Sequence, residues 1–146
     1  MRKVFVVISI MAALLLSACS ALGDINNSVE YAAKATENLT YLSNFAEKAP
    51  DMLRDAALNA EVKENLEAEL ASLKEDLSQF NDIEAVPALA KDLHQQLVTK
   101  NEAVITEINK VMENGQLTLD KLESSELLPM IKDVQSLLNQ IEELGL

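Results

Sequence analysis

The sequence predicts an all-α protein, an up-and-down antiparallel bundle of four helices that follows a cleavable N-terminal segment. Three observations predict it. From Asp24 onward apolar residues recur at steps of three and four almost without a break, the spacing that keeps them on one side of a helix. No window alternates apolar and polar residues over a strand length. The connections between periodic segments are a few residues long, which favours antiparallel neighbours. Each segment has one apolar stripe and an opposite polar face, so the stripes must be buried against one another. A three-helix bundle or an elongated, partly coiled-coil hairpin would use the same stripes less fully.

The first stripe is Ile25, Val29, Ala32, Thr36, Leu39, Leu42 and Ala46, giving a helix over residues 24–48 with Asp24 as its N-cap. Pro50 is expected to stop it, leaving a short helix at 51–58. Asn59 then caps a longer helix to about residue 80, with Val62, Leu66, Leu70, Leu73, Leu77 and Phe80 along its stripe. Pro87 opens the third segment, whose stripe is Val86, Ala90, Leu93, Leu97, Asn101, Val104, Ile108 and Val111. An extra step of four at Asn101 reads as a stutter in the heptad. Asn114-Gly115 ends this helix, with Gly115 as the left-handed residue past its last turn. Leu117, Leu119 and Leu122 form a short helix or packed turn. The last helix carries Leu127, Ile131, Val134, Leu138 and Ile141 behind Ser124 or Ser125 as cap. Aromatic residues beyond the N-terminal segment are Tyr31, Tyr41, Phe45 and Phe80, so the core is expected to be aliphatic, with Met52, Met112 and Met130 as filler.

Arg2 and Lys3 precede an apolar run from Val4 to Leu16 broken by Ser9, and small residues follow. A basic start, an apolar middle and small residues before a cut make a secretory signal peptide. Thirteen helical residues rise about 20 Å, short of the roughly 30 Å of a bilayer's hydrocarbon. The run ends in Leu16-Ser17-Ala18-Cys19, and Cys19 is the chain's single cysteine. This tetrapeptide resembles the lipobox of bacterial lipoproteins at all four positions. The resemblance implies that Leu16, Ser17 and Ala18 are read by the signal peptidase, that Cys19 carries a diacylglyceryl thioether, and that Cys19 becomes the first residue. The expected organisation is a lipoprotein signal peptide at 1–18, the lipidated Cys and a short tether at 19–23, and the helical bundle at 24–146. Cleavage removes Arg2 and Lys3 but no acid, so the 128 remaining residues carry 10 basic and 24 acidic side chains, a formal charge of −14 against −12 for the whole chain.

Composition excludes several functions. A lone Cys makes no intrachain disulfide, and Gly23, Gly115 and Gly145 lie too far apart for a phosphate-binding loop. The acidic balance argues against nucleic acid, whose phosphates call for Lys and Arg, and makes a cationic envelope protein or peptide the better partner. Glu61, Glu64, Glu67, Glu69, Glu75 and Asp76 form an acidic run, but it lies off the apolar stripe and is interspersed with Lys63 and Lys74, which describes a solvated face. His94, the one histidine, sits beside the Leu93–Leu97 stripe. It has no second His or Cys for a transition-metal site and no recognised nucleophile motif, so boundary packing or a surface hydrogen bond is its expected role. Asn101 is either a buried polar register device or a residue facing a bundle end. No catalytic residue, metal site or cofactor is expected, and the chain does not read as an enzyme.

Beyond the lipobox, Phe45-Ala46-Glu47-Lys48-Ala49-Pro50, Asp92-Leu93-His94-Gln95-Gln96-Leu97 and Leu137-Leu138-Asn139-Gln140-Ile141-Glu142 are similar to stretches of a family of small uncharacterised lipoproteins of spore-forming Gram-positive bacteria. The resemblance implies a compartment, the extracytoplasmic face of the cell membrane, and no catalytic residues. The expected function is that of a membrane-anchored interaction or structural module at the cell envelope. The alternative is an envelope sensor or carrier that binds a small ligand or cation between helices.

Overall fold

A computed structural model describes the backbone of residues 2–144 and the side chains of residues 27–144. Helix α1 spans Arg2–Ala56, α2 Ala60–Asn81, α3 Lys91–Val111, α4 Leu119–Glu123 and α5 Leu127–Glu143. A 3-10 turn, Ala88–Ala90, leads into α3, and two short strands, β1 Met112–Glu113 and β2 Gln116–Leu117, join α3 to α4. The long helices pack in a ring: α1 on α2, α2 on α3, α3 on α5, and α5 back on α1. Side-chain contacts give their directions. Tyr41 reaches Glu69 and Asn38 reaches Asp76, so α1 and α2 are antiparallel. Lys74 with Asn109 and Asn81 with Asn101 make α2 and α3 antiparallel. Thr36 with Glu142 and Ser43 with Gln135 do the same for α1 and α5. The protein is thus the expected up-and-down bundle of four long helices.

Three stripes are buried as the spacing predicts. Leu66, Leu70, Leu73, Leu77 and Phe80 of α2, Leu97, Asn101, Val104, Ile108 and Val111 of α3, and Leu127, Ile131, Val134, Leu138 and Ile141 of α5 all lie in the core. On α1 the stripe is shifted. Tyr31, Ala35, Leu42, Phe45 and Ala49 are buried, whereas Val29 is 60% exposed and Thr36 faces solvent. The aliphatic steps from Ile25 mark a neighbouring face, and the two aromatic rings decide the orientation because each removes more apolar area from water than the small residues beside it.

The ends of α1 also differ from expectation. Its backbone is helical from Arg2, so Asp24 lies inside the helix and is not its N-cap. Pro50 does not stop it, and residues 51–56 belong to α1 and form no separate helix. Proline removes one backbone donor and crowds the preceding turn. Here Pro50 is on the solvent side, where water can serve the carbonyl left without a partner, and buried Ala49 and Ala56 keep the helix on the core. The chain turns at 57–59, where Leu58 and Asn59 both donate backbone N–H groups to the Asp55 carbonyl. Asn59 caps α2 as expected, its side chain accepting the Glu61 N–H at 2.9 Å.

Pro87 caps the 3-10 turn that precedes α3. At the far end of α3, Asn114-Gly115 makes a hairpin turn where the sequence predicts only a helix stop. Asn114 has φ 53° and Gly115 φ 79°, the paired positive values of the tight turn that matches strand twist. Met112 pairs with Leu117 and Glu113 with Gln116 in an antiparallel register. Asn-Gly is a strong hairpin signal, but strands of two residues are too short to show alternation. The short helix expected around Leu119 and Leu122 is α4. The N-cap of α5 is Glu126, without a side-chain cap bond, so neither Ser124 nor Ser125 is the cap; the Ser125 hydroxyl accepts the Leu127 N–H from 3.4 Å.

Leu70→Ala, at a site with no exposed surface, should lower stability by about 2–5 kcal/mol in urea unfolding. Val29→Ala should leave the midpoint almost unchanged, although the local apolar spacing ranks the two positions alike.

Candidate functional site

Tyr31, Phe80 and His94 meet toward the pole formed by the C-terminal ends of α2 and α5, the N-terminal end of α3, and α1 near residue 31. Tyr31 and His94 stand on diagonally opposite helices of the ring, and Phe80 of α2 lies between them. The Tyr31 and His94 rings meet edge-on, with centroids 5.6 Å apart and planes at 70°. Phe80 lies 5.8 Å from Tyr31 and 5.4 Å from His94. These rings bridge the diagonal of a bundle whose core is otherwise almost wholly aliphatic.

His94 Nδ1 is 3.1 Å from the Tyr31 hydroxyl. The contact fits a neutral imidazole protonated on Nε2, with Nδ1 accepting the phenol proton. Burial favours that form, since it lowers the His94 pKa from its ordinary value. Burial also pushes the Tyr31 phenol far above the usual range, so it stays a donor. Of the two expected roles of His94, boundary packing holds, and its hydrogen bond goes to the buried Tyr31 phenol and not to the surface. Its phenol partner was not visible in the sequence because Tyr31 and His94 are 63 residues apart.

Along the α1–α2 seam, a cleft of about 240 Å³ is lined by Lys34, Glu37, Asn38, Tyr41, Asp76, Gln79, Phe80 and Ile83. A second cleft, about 330 Å³, shares Lys34, Gln79 and Ile83 and continues toward Tyr31 and Asp82. Tyr41 donates to the Glu69 carboxylate and backbone carbonyl, each at 3.2 Å. Its phenol is pushed up to about 12, first by burial and then by the charge of Glu69. The Asp76 carboxyl is raised by burial and by the like charges of Glu75 and Glu37. Lys34 pairs with Glu30 at 3.2 Å. The seam therefore concentrates negative charge with one local cation.

The acidic run on α2 does not act as one face. Glu67 accepts the Leu117 backbone N–H at 2.7 Å and lies 3.8 Å from Lys63, so it pins the hairpin to α2. Glu69 holds Tyr41, and Glu75 accepts from Gln79. Among the described residues no three His, Cys, Asp or Glu side chains are grouped to hold a metal ion. Asn101 is buried, so of its two expected roles the internal one holds. Its Nδ2 donates to Asn81 at 2.8 Å, while its Oδ1 has no hydrogen-bond partner. Leu16, Ser17, Ala18 and Cys19 lie outside the residues whose side chains are described. Among the described residues no helix is long and apolar enough to cross a membrane.

Residues 31–144 match a family described as Family of unknown function (DUF6376). The chain belongs to this family. The DUF6376 match begins at Tyr31, the first member of the aromatic cluster, and runs through α5, so it takes in the packing surfaces of all four long helices. The chain is also similar to the "Uncharacterized lipoprotein YybP" of Bacillus subtilis (strain 168), with 29% identity over 148 residues that cover 99% of each protein. That likeness extends through the segment N-terminal to the DUF6376 match. It agrees with the uncharacterised lipoprotein family to which the sequence motifs pointed. No solved structure matches the chain.

The lowered His94 pKa sets a pH dependence. Unfolded His94 takes up its proton near pH 6.5 and the folded side chain only at lower pH, so its contribution to stability is complete above about 6.5 and is lost as pH falls below it. Melting temperatures at pH 7.5 and 5.5 should drop more for the native chain than for His94→Gln. An equal drop would mean that His94 is not held neutral by the fold.

Proposed function

We propose that the protein is a lipid-anchored module on the extracytoplasmic face of the cell membrane, presenting an acidic helical bundle to envelope partners. The observation that carries this reading is Leu16-Ser17-Ala18-Cys19 behind a basic start and an apolar run. Similarity over nearly the full length to an uncharacterised lipoprotein supports it. In this reading residues 1–18 are removed, Cys19 bears two acyl chains through its thioether, and residues from about 24 onward are the working domain. Two acyl chains give stable anchoring where one is marginal, at about 0.8 kcal/mol per buried CH₂. The helical backbone of α1 between Cys19 and the bundle makes the link a rod. Four helical residues, Ser20–Gly23, rise only about 6 Å.

The body favours interaction over chemistry. Aliphatic side chains fill the interior, and the clefts open along the helix seams. With a formal charge of −14 after cleavage, the surface attracts a cationic protein or peptide. Metabolic labelling with an alkyne fatty acid should mark the native chain and send it to the detergent phase of a Triton X-114 separation. Cys19→Ala should lose both properties, and detergent partitioning that survives this substitution would overturn the anchor.

One observation favours a small ligand as a second reading. The α1–α2 cleft brings the raised carboxyl of Asp76 beside Glu37 and Tyr41, a setting that a cation would relieve. Millimolar calcium should then raise the melting temperature of the native chain and not that of Asp76→Asn. Equal responses would remove this reading.

A further inference from the structure

Among the described residues, four large hydrophobic side chains stand out in water: Val29 at 60%, Leu58 at 92%, Leu89 at 73% and Leu144 at 38% exposure. Single exposed hydrophobics are ordinary on a protein surface. Their distribution here is not even. Val29 lies two residues before Tyr31 on α1, and Leu89 sits in the 3-10 turn five residues before His94. Leu144 caps α5 two residues beyond the Glu142 that meets Thr36 of α1. The antiparallel registers put these three, from three different elements, toward one pole. Leu58 occupies the α1–α2 turn toward the other.

The pole that carries three of the four is also the one from which α1 extends toward Cys19. We infer that this pole rests on the lipid surface, with Val29, Leu89 and Leu144 as its apolar contacts. The inference deepens the anchoring reading and rests on it. Ten helical residues from Cys19 to Val29 span about 15 Å. An upright α1 would hold Val29 clear of the acyl chains, whereas a tilted α1 lays the pole on the interface. Exposed apolar side chains on this pole favour the tilt, since each gains by leaving water.

Charge selects the kind of surface. Glu30, Asp82, Glu84, Asp92, Glu142 and Glu143 cluster toward this pole against Lys34 and Lys91. An anionic partner is repelled there, so the contact is apolar and suits a zwitterionic headgroup layer such as phosphatidylcholine.

The chain has no Trp, so one introduced indole reports its own surroundings. Leu89→Trp and Leu58→Trp replace exposed side chains, and Val29→Trp adds a second reporter at the Tyr31 pole. Each full-length lipidated variant is reconstituted on phosphatidylcholine vesicles brominated near the headgroup end of the acyl chains. All three should float with the vesicles. L89W and V29W should shift their emission to the blue and lose most of it to the bromines, while L58W keeps its aqueous spectrum. Floating variants with equal quenching at all three positions would overturn the contact and leave the anchor standing. Variants that fail to float would overturn the anchor itself, and this inference with it.

Discussion

Everything in this molecule depends on the mutual burial of four apolar stripes in a core nearly without aromatic rings. Each long helix covers two neighbours, so removing any one would expose the stripes of two others. Leu66, Leu70, Leu73 and Leu77 of α2 and Ile131, Val134, Leu138 and Ile141 of α5 belong to one buried aliphatic core. These side chains fill the interior, and the clefts lie along the α1–α2 seam. The consequence reaches function, because chemistry is displaced from the interior to the seams and the poles.

The polar groups that enter the core tie distant segments together. Asn81 with Asn101 fixes the α2–α3 register, and Glu67 with the Leu117 N–H fixes the hairpin against α2. Tyr31 with His94 links the diagonal pair at one pole. The unpartnered Asn101 Oδ1 has a cost on the order of 1–3 kcal/mol. A buried Asn is tolerated in helical seams where it rejects alternative registers that Leu would accept. Polar contacts of this kind are few here, and each sits where one helix could otherwise slide along another.

The proposed anchor and the fold belong to different parts of the chain, and α1 joins them. DUF6376 similarity covers the packed body, while likeness to the Bacillus subtilis lipoprotein continues through the N-terminal segment. Because α1 is both a wall of the bundle and the route to Cys19, the orientation of one constrains the other. In the proposed reading, an acidic body on a short helical link is held close to the headgroups and repelled by negative ones, which leaves apolar contact and the acyl chains as the attractive forces.

Much of this was legible in the sequence. Helical period is a local property, so the stripes of α2, α3 and α5 follow from spacing alone, as does the Asn59 cap. The tetrapeptide ending at Cys19 is equally local and needs no fold to be read. The tertiary structure decided what depends on which surfaces meet. On α1, two candidate faces lie side by side, and the pull of Tyr31 and Phe45 into the core chose between them. Pro50 passed through the helix because its missing donor falls on the wet side, a fact about neighbours rather than about proline. Glu67 looked like one carboxylate of a solvated run until Leu117 arrived against it, and His94 had no visible partner until Tyr31 crossed the bundle. Spacing tells α2, α3 and α5 which side to hide, and only the assembled ring determines the buried face of α1 and which side chain each helix hides against.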